Sequence, residues 1–330
     1  MNVLITGITG MVGSHLAEYI LREKPNANVH GLVRWRSPTD NILGILERVS
    51  LHLGDLRDLN SLINIFRDVR PDYVFHLAAQ SYVDQSFVAP TDTLTTNVIG
   101  TTNLLDAIRI VGIKPRIHIC SSSEVYGQIQ PDEIPIRETA PFRPASPYAV
   151  SKVGEDMIAY QYHQSYAMDI MRTRMFTHTG PRRGDVFAES AFAKQIAEIE
   201  IGARDNPMLV GNLDSVRTIA DVRDTVRAYW MLMEKGIAGE VYNIGGLDHM
   251  TIGELLDVLK EYATVPIEHA VDSSRLRPSD VTLQIPDISK FQNATGWRPE
   301  IPAKETLLDL IQYHRQKVRH NSASTSLNSI

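Results

Sequence analysis

A doubly wound α/β fold, with a mostly parallel sheet, helices on both faces and a smaller C-terminal α/β lobe, is predicted by three features of this sequence. Short apolar runs alternate with helix-length periodic stretches through the first half, as successive βαβ units do. The chain starts on an apolar run that leads straight into Gly7-Ile-Thr-Gly10-Met-Val-Gly13, a turn rich in glycine. After about residue 170 the alternation gives way to loops holding Pro181, Pro207, Pro266 and Pro278 between shorter helical stretches.

Taken in order, strands are expected at 3–6, 29–33, 51–53, 73–79, 116–120 and 170–173, six parallel strands in all, each an apolar run short enough to be buried on both faces. Helices are expected at 14–22, 59–68, about 91–111 and about 149–165, where apolar residues recur at helical spacing. The large domain is expected to span 1–175, the small lobe 176–318, and a frayed, disordered tail 319–330, where the sequence turns polar and low in complexity. Segments near 215–245, in particular 220–233 and 241–244, are expected to return to the large domain.

Composition excludes several classes. The 330 residues are 43% hydrophobic and 22% charged, an ordinary globular balance with a sizeable core. A net charge of -6 gives no basic field for a nucleic-acid backbone, so any anion must be held by a local pocket. The single cysteine, Cys120, allows no intramolecular disulfide and no thiol-rich zinc cluster, and it reads as a small buried hydrophobe. No metal site is expected. No basic leader is visible and no run approaches the roughly 20 apolar residues of a membrane span; a cytoplasmic protein without a membrane partner is the expectation.

The glycine turn carries the first chemical signal. Glycines between a strand and a helix let the backbone turn tightly and approach a pyrophosphate, whose charge the helix N-terminus favours. Gly7, Thr9, Gly10, Met11, Val12 and Gly13 are therefore candidate dinucleotide contacts. The step of three from Gly7 to Gly10 resembles that of extended short-chain dehydrogenase/reductase proteins, and with it the fold class becomes Rossmann-type. At the end of the second strand an acid would bind a free ribose 2′-hydroxyl. Here stand Arg34, Trp35, Arg36 and Ser37; Arg34 and Arg36 favour a 2′-phosphate, hence NADP, the alternative being a solvated basic loop. Asp55 and Leu56 follow the third strand and are placed for the adenine, while Leu77, Ala78 and Ala79 offer a small-residue path for ribose and nicotinamide.

Ser121-Ser-Ser-Glu-Val-Tyr-Gly127 ends the fifth strand with hydroxyls and a carboxylate, and Tyr148 and Lys152 sit four apart on one face of the helix after Ser146-Pro147. Alone, such a Tyr–Lys pair is usually helix surface, and a glutamate after serines usually dissolves in water. Following the glycine turn, they read instead as a Ser122–Tyr148–Lys152 triad, in which the ammonium lowers the phenol toward proton exchange with a sugar hydroxyl or ketone. Glu124 lies two residues beyond Ser122 on the same side of an extended segment. Once C4 of a hexose is a ketone, the C5 proton is acidic, and Glu124 is the candidate base that removes it before water leaves from C6.

From Met1 to about Arg319 the chain resembles extended short-chain dehydrogenase/reductase proteins acting on nucleotide sugars, nearest the GDP-mannose 4,6-dehydratase and GDP-4-keto-6-deoxymannose reductase families. The features are the glycine turn, His76-Leu-Ala-Ala-Gln80-Ser81, Ser121 to Gly127, Arg143-Pro-Ala-Ser-Pro-Tyr148, Gly211-Asn-Leu213, Arg217, Asp221-Val-Arg-Asp224, Arg277-Pro-Ser and Gly296-Trp297-Arg-Pro299. The resemblance implies that Arg217 and Arg277 meet a substrate diphosphate with Arg183 nearby, that Ser81, Ser123, Thr177 and Asn212 line the sugar and nucleotide pocket, and that Asn97 lies close to the cofactor. Thr177 stands where these relatives usually have asparagine, and Thr218 where aspartate usually follows the arginine. The resemblance also implies that the 34–41 loop contacts a neighbouring subunit and that helices 91–111 and 149–165 pair across a dimer axis, giving a homodimer or homotetramer.

The expected function is a nucleotide-sugar 4,6-dehydratase using bound NADP as a recycled hydride carrier, with a GDP-hexose favoured as substrate. A 4-ketoreductase consuming NADPH, a 4-epimerase, and a non-catalytic NADP-sensing protein on the same fold are the alternatives.

Overall fold

Val3, Leu4 and Ile5 are fully buried because β1 (Asn2–Thr6) lies inside a parallel sheet covered on both faces, which is why its sequence is a continuous apolar run rather than an alternating one. The structure is a computed structural model and describes residues 1–246, 248–276 and 281–327. The large domain continues with α1 (Met11–Glu23), β2 (Asn28–Val33), β3 (Val49–Leu53), α2 (Leu59–Val69), β4 (Tyr73–His76), α3 (Val83–Val88) and α4 (Pro90–Leu94). A π-helical turn, Thr95–Ile99, joins α4 to α5 (Gly100–Val111); then come β5 (Arg116–Ser122), α6 (Pro147–Tyr166) and β6 (Ile170–Met175).

The small lobe and the segments that return from it comprise β7 (His178–Thr179), α7 (Ala188–Glu200), β8 (Met208–Val210), β9 (Val216–Asp221), α8 (Val222–Lys235), β10 (Val241–Ile244), β11 (Asp248–Thr251), α9 (Ile252–Glu261), β12 (His269–Val271), β13 (Leu283–Gln284), α10 (Ser289–Thr295) and α11 (Ala303–Leu327).

The main sheet has seven strands rather than the six expected, in the order β10-β6-β5-β4-β1-β2-β3. The seventh, β10, is the 241–244 segment, which returns from the small lobe and pairs with β6 in parallel. The other returning segment is α8: Tyr229 and Trp230 share one apolar layer with Leu16 and Ile20 of α1 and Phe75 of β4. On the opposite face Phe66, Leu104, Ile108 and Ala159 from α2, α5 and α6 pack against Ile117 and Ile170. Strand order reverses between β1 and β4, the switch point at which such sheets open a crevice at their C-terminal ends.

The small lobe has its own core of Phe192, Ile196, Leu255, Leu259, Leu307 and Leu310, under a sheet in which β9 pairs with β7, β11 and β13. The last helix runs to Leu327, so it covers most of the stretch expected as a frayed tail; a helix already nucleated and packed gains one hydrogen bond per residue as it extends. Among the described residues no helix is long and apolar enough to cross a membrane, and no cluster of three His, Cys, Asp or Glu could hold a metal ion.

Candidate active site

A crevice of about 1120 Å³ runs along the strand ends, from Arg34 and Ser37 past the glycine turn to Tyr148 and into the small lobe. It exceeds the roughly 300–1,000 Å³ of a site for one drug-sized ligand. Its floor is the glycine turn. Gly7 has φ +74, and a Cβ there would lie 2.9 Å from the Ala78 nitrogen; a Cβ on Gly13 would lie 2.2 Å from the Gly7 oxygen. The turn therefore packs directly on the end of β4 and on its own helix. Gly10 caps α1 without any side-chain hydrogen bond, so the helix N-terminus faces the crevice with no side chain satisfying it. That cradle fits a pyrophosphate, and Thr9, Met11 and Val12 complete its wall.

At the end beyond β2 and β3 the wall holds Arg34, Ser37, Asp55 and Leu56. Arg36 does not reach it: its guanidinium stacks on the exposed Trp35 ring at 4.7 Å. Of the two arginines expected at a 2′-phosphate, the structure brings only Arg34 to the crevice, because the chain turns directly after β2, with Ser37 N donating to Arg34 O at 3.0 Å, and the turn carries Arg36 off the strand direction. Arg57, absent from the sequence reading, also lines the wall, and its guanidinium holds Asp55 at 2.9 Å, which keeps that carboxyl below its usual range. Leu77, Ala78 and Ala79 line the middle of the crevice as expected from their place after β4. Asn97 does not line it. It is fully buried one layer behind, accepting from the Gln80 amide at 2.8 Å and donating to Gln80 O and the Ser151 hydroxyl. A buried amide that can pair with backbone on one side and a hydroxyl on the other is satisfied without any ligand.

The catalytic candidates converge. β5 carries Ser122 to the sheet edge, where its hydroxyl accepts the Glu124 N–H at 3.2 Å and starts a turn of 3-10 helix, Ser123–Tyr126. Glu124 thus leaves the extended path assumed from sequence, because the hydroxyl cap curls the chain, yet it still faces the crevice beside Ser122 and Ser123. Ser146 accepts from Ala149 N at 3.0 Å and Pro147 occupies the first turn, which starts α6 where Tyr148 and Lys152 both face the crevice. Tyr148 hydrogen-bonds Ser122. Burial raises its phenol pKa, and the Lys152 charge and the Ser122 hydrogen bond pull it back without cancelling the rise. The lowering expected from the ammonium is present, but desolvation outweighs it. Lys152 donates to Cys120 O at 2.6 Å and pairs with Glu155, a carboxylate the sequence reading passed over.

Ser81, on the connection after β4, also lines the crevice, and on the small-lobe side stand Thr177, His178, Asn212 and Arg217; Ser81, Thr177, Asn212 and Arg217 were all expected to line it. Burial holds His178 neutral, with its pKa lowered to about 4. Arg183 lines the rim too, but Glu189 holds its guanidinium at 3.0 Å over the Phe187 ring, so its charge is already engaged. Arg182 has φ +72, uncommon for a residue with a side chain. That conformation turns Arg182 away from Arg183 and back to α1, where it donates to Ser14 Oγ at 3.2 Å and pairs with Glu18 at 2.6 Å. Arg277 lies outside the described residues; Arg275, two positions earlier, lines the crevice. Arg182 and Arg275 were missed although each neighbours a named arginine, because spacing within a loop does not say which residue turns inward. Thr218 is buried inside β9 with its hydroxyl near Gly246 O at 3.5 Å, away from the wall.

Known proteins are similar to this chain in sequence and in fold. The sequence profile described as GDP-mannose 4,6 dehydratase matches residues 4–310. The chain is 33% identical to GDP-mannose 4,6-dehydratase of Yersinia enterocolitica, over 97% of this chain and 95% of that one. It is equally 33% identical to GDP-6-deoxy-D-mannose reductase of Pseudomonas aeruginosa, over 96% and 98%. Among solved structures, RMD from Pseudomonas aeruginosa complexed with NADPH superposes with a TM-score of 0.82 at 31% identity, covering 96% of this chain and 99% of that one. With the profile spanning residues 4–310 and relatives of 33% identity over nearly the whole chain, the chain belongs to the GDP-mannose 4,6-dehydratase family.

Proposed function

We propose that this protein is a nucleotide-sugar 4,6-dehydratase that converts a GDP-mannose-type substrate to its 4-keto-6-deoxy product with NADP bound as a recycled carrier. The observation that supports the reading is the position of Glu124 beside the Ser122–Tyr148–Lys152 group in one crevice: dehydration needs a base for C5 in addition to the pair that serves the 4-hydroxyl. The resembled reductases carry a glutamate at this place as well, so the reaction with GDP-mannose decides between dehydratase and reductase. Gly7, Gly10 and Gly13 with the first turn of α1 would hold the pyrophosphate and Arg34 the 2′-phosphate. When bound, the oxidised dinucleotide supplies a hydride acceptor that gives the hydride back, and a positive charge beside the phenol.

The chain's own groups supply the rest. Tyr148 takes the proton of the 4-hydroxyl, Ser122 hydrogen-bonds the same oxygen, and Lys152 favours the phenolate. Glu124 takes the C5 proton and passes it to the departing 6-hydroxyl, so that water leaves and a C5–C6 double bond forms. As C6 is reduced to the methyl, C5 takes a proton that balances the one Tyr148 removed from the 4-hydroxyl, and no net oxidation occurs. Arg217 and Arg275 line the crevice where a diphosphate could accept their N–H groups; Arg275 also pairs with Asp272 at 3.4 Å.

A 4-ketoreductase is the second reading. The reductase alignment needs 318 positions for 96% of the chain whereas the dehydratase alignment needs 360 for 97%, so this chain is compact like the reductase. Incubation of the pure protein with GDP-mannose separates the two. A 4-keto-6-deoxy product formed without added cofactor is the expected result; consumption of one NADPH per 4-keto sugar, with no dehydration, would replace it by the reductase.

We also infer a homodimer: Leu94, Ile99, Val150, Met157 and Tyr160 are exposed apolar residues on α4 to α6, and a second copy would cover them.

A further inference from the structure

Lys152 is buried, and an ammonium out of water needs a counter-charge. The groups around it come from four elements. On β4 and β5, burial together with the Lys152 charge holds His76 and His118 neutral, each with a pKa lowered to about 3. Burial raises the Cys120 thiol on β5 and the Tyr229 phenol on α8, so both stay protonated. On α6 itself, Tyr148 is a raised phenol, and Asp156 is spoken for by Arg172 at 2.6 Å and Arg174 at 2.7 Å. The remaining carboxylate among the described residues in contact with the ammonium is Glu155, one turn along the helix and 1% exposed.

Burial raises the Glu155 carboxyl, and the Lys152 charge is the largest influence pulling it back. Its second oxygen lies 3.4 Å from the Thr101 hydroxyl of α5, which donates to Asn97 O at 2.7 Å and bonds His76 at 2.9 Å, and His76 bonds Thr6 of β1 at 2.9 Å. The Thr6 hydroxyl also accepts the Leu77 and Ala78 amides that line the crevice. The carboxylate therefore sits at the end of a buried chain of contacts that crosses β4 and ends under the glycine turn.

We propose that Glu155 is a positioning residue: by pairing with Lys152 in a dry site it keeps the lysine an ammonium, aimed between Cys120 O and Tyr148, over the whole working pH range. The proposal rests on the role given above to Tyr148 and Lys152. Without the carboxylate, burial is the largest influence left on the lysine and favours the neutral amine, with only the weaker pull of Tyr148 and Cys120 against it. A neutral amine would no longer favour the phenolate, so activity would be lost on the alkaline side. Tyr148 and Lys152 would then titrate as a pair.

The test is a lysine side-chain NMR titration of the full chain labelled at Cε, with the Lys152 resonance identified by its loss in Lys152→Met. In the unaltered protein Lys152 should titrate above the ordinary lysine range; in Glu155→Gln the midpoint should fall by at least about one pH unit. Glu155→Asp keeps the charge but draws it back by one methylene, and an intermediate fall is expected; this variant decides if Glu155→Gln does not fold. Turnover of GDP-mannose should acquire an alkaline limb that follows the same midpoints. An unmoved Lys152 midpoint, or a rate lowered by one factor at every pH with that midpoint unmoved, overturns the proposal. If the unaltered protein dehydrates no nucleotide hexose, the functional reading fails and the titration still decides the role of Glu155.

Discussion

The two rims of the crevice are built differently. On the large-domain rim each group is delivered by a regular element: Gly7 to Gly13 by β1 and α1, Ser122 by β5, Tyr148 and Lys152 by α6. On the small-lobe rim His178 and Arg217 stand on the short strands β7 and β9, whereas Arg182, Arg183, Asn212 and Arg275 come from connections between short strands and helices. The first rim has its backbone tied into a seven-stranded sheet, while the second depends on side-chain ties such as Arg183 to Glu189 and Arg182 to Glu18. A reaction that needs atoms held to a fraction of an ångström belongs on the first kind of surface, and substrate choice on the second.

The difference can be broken by substitution. Tyr148→Phe removes the one phenol that Ser122 and Lys152 address; kcat should fall by about 10²- to 10⁴-fold, with NADPH binding, read by fluorescence titration, nearly unchanged. Preserved turnover would mean that the first rim does not hold the chemistry. Arg34→Ala should weaken NADPH by roughly tenfold or more, as loss of a hydrogen-bonded charge does, and reduce the preference over NADH. Arg36→Ala should leave both constants in place, because its guanidinium rests on Trp35 rather than on the crevice wall; equal losses in the two variants would contradict that geometry.

On the other rim, Arg275→Ala should raise KM for the nucleotide sugar several-fold with kcat little altered, the pattern of an interaction made equally in ground and transition states. A kcat loss as large as that of Tyr148→Phe would erase the distinction between the rims. The smallest effect concerns the large domain's interior. His76 and His118 have pKa values held near 3 by burial, against an ordinary value near 6.5. Below that value the unfolded chain binds protons that the folded one refuses, so stability is complete above pH 6.5 and falls as pH drops toward 3. At pH 6 the loss should stay under about 1 kcal/mol for each histidine; urea midpoints at pH 7.5, 6 and 5 measure it, and a flat series would show that neither ring stays neutral.

Much of the first rim was legible from spacing. A strand alternates sides and a helix returns every three to four residues, so Gly7, Ser122, Tyr148 and Lys152 could be placed relative to one another before any coordinates. Glu124 was placed on the right wall through the wrong path, since the cap made by Ser122 is a hydrogen bond that periodicity does not contain. Arg36, Asn97 and Glu155 show the limit. Whether a side chain turns to the crevice or to Trp35, Gln80 or a buried ammonium depends on what neighbouring elements present to it.

By itself the sequence determined the sheet, the glycine turn and the helix that carries the phenol, because these follow from local periodicity and from residues that act through their own backbone. Only the tertiary structure decided the rest: that Arg36 rests on Trp35 rather than on the crevice wall, that Arg275 lines the crevice, and that the buried Lys152 has a single uncommitted carboxylate among the described residues beside it. Those contacts join residues far apart in the chain or set competing partners against each other, and charge, burial and distance settle them only once the lobes are packed.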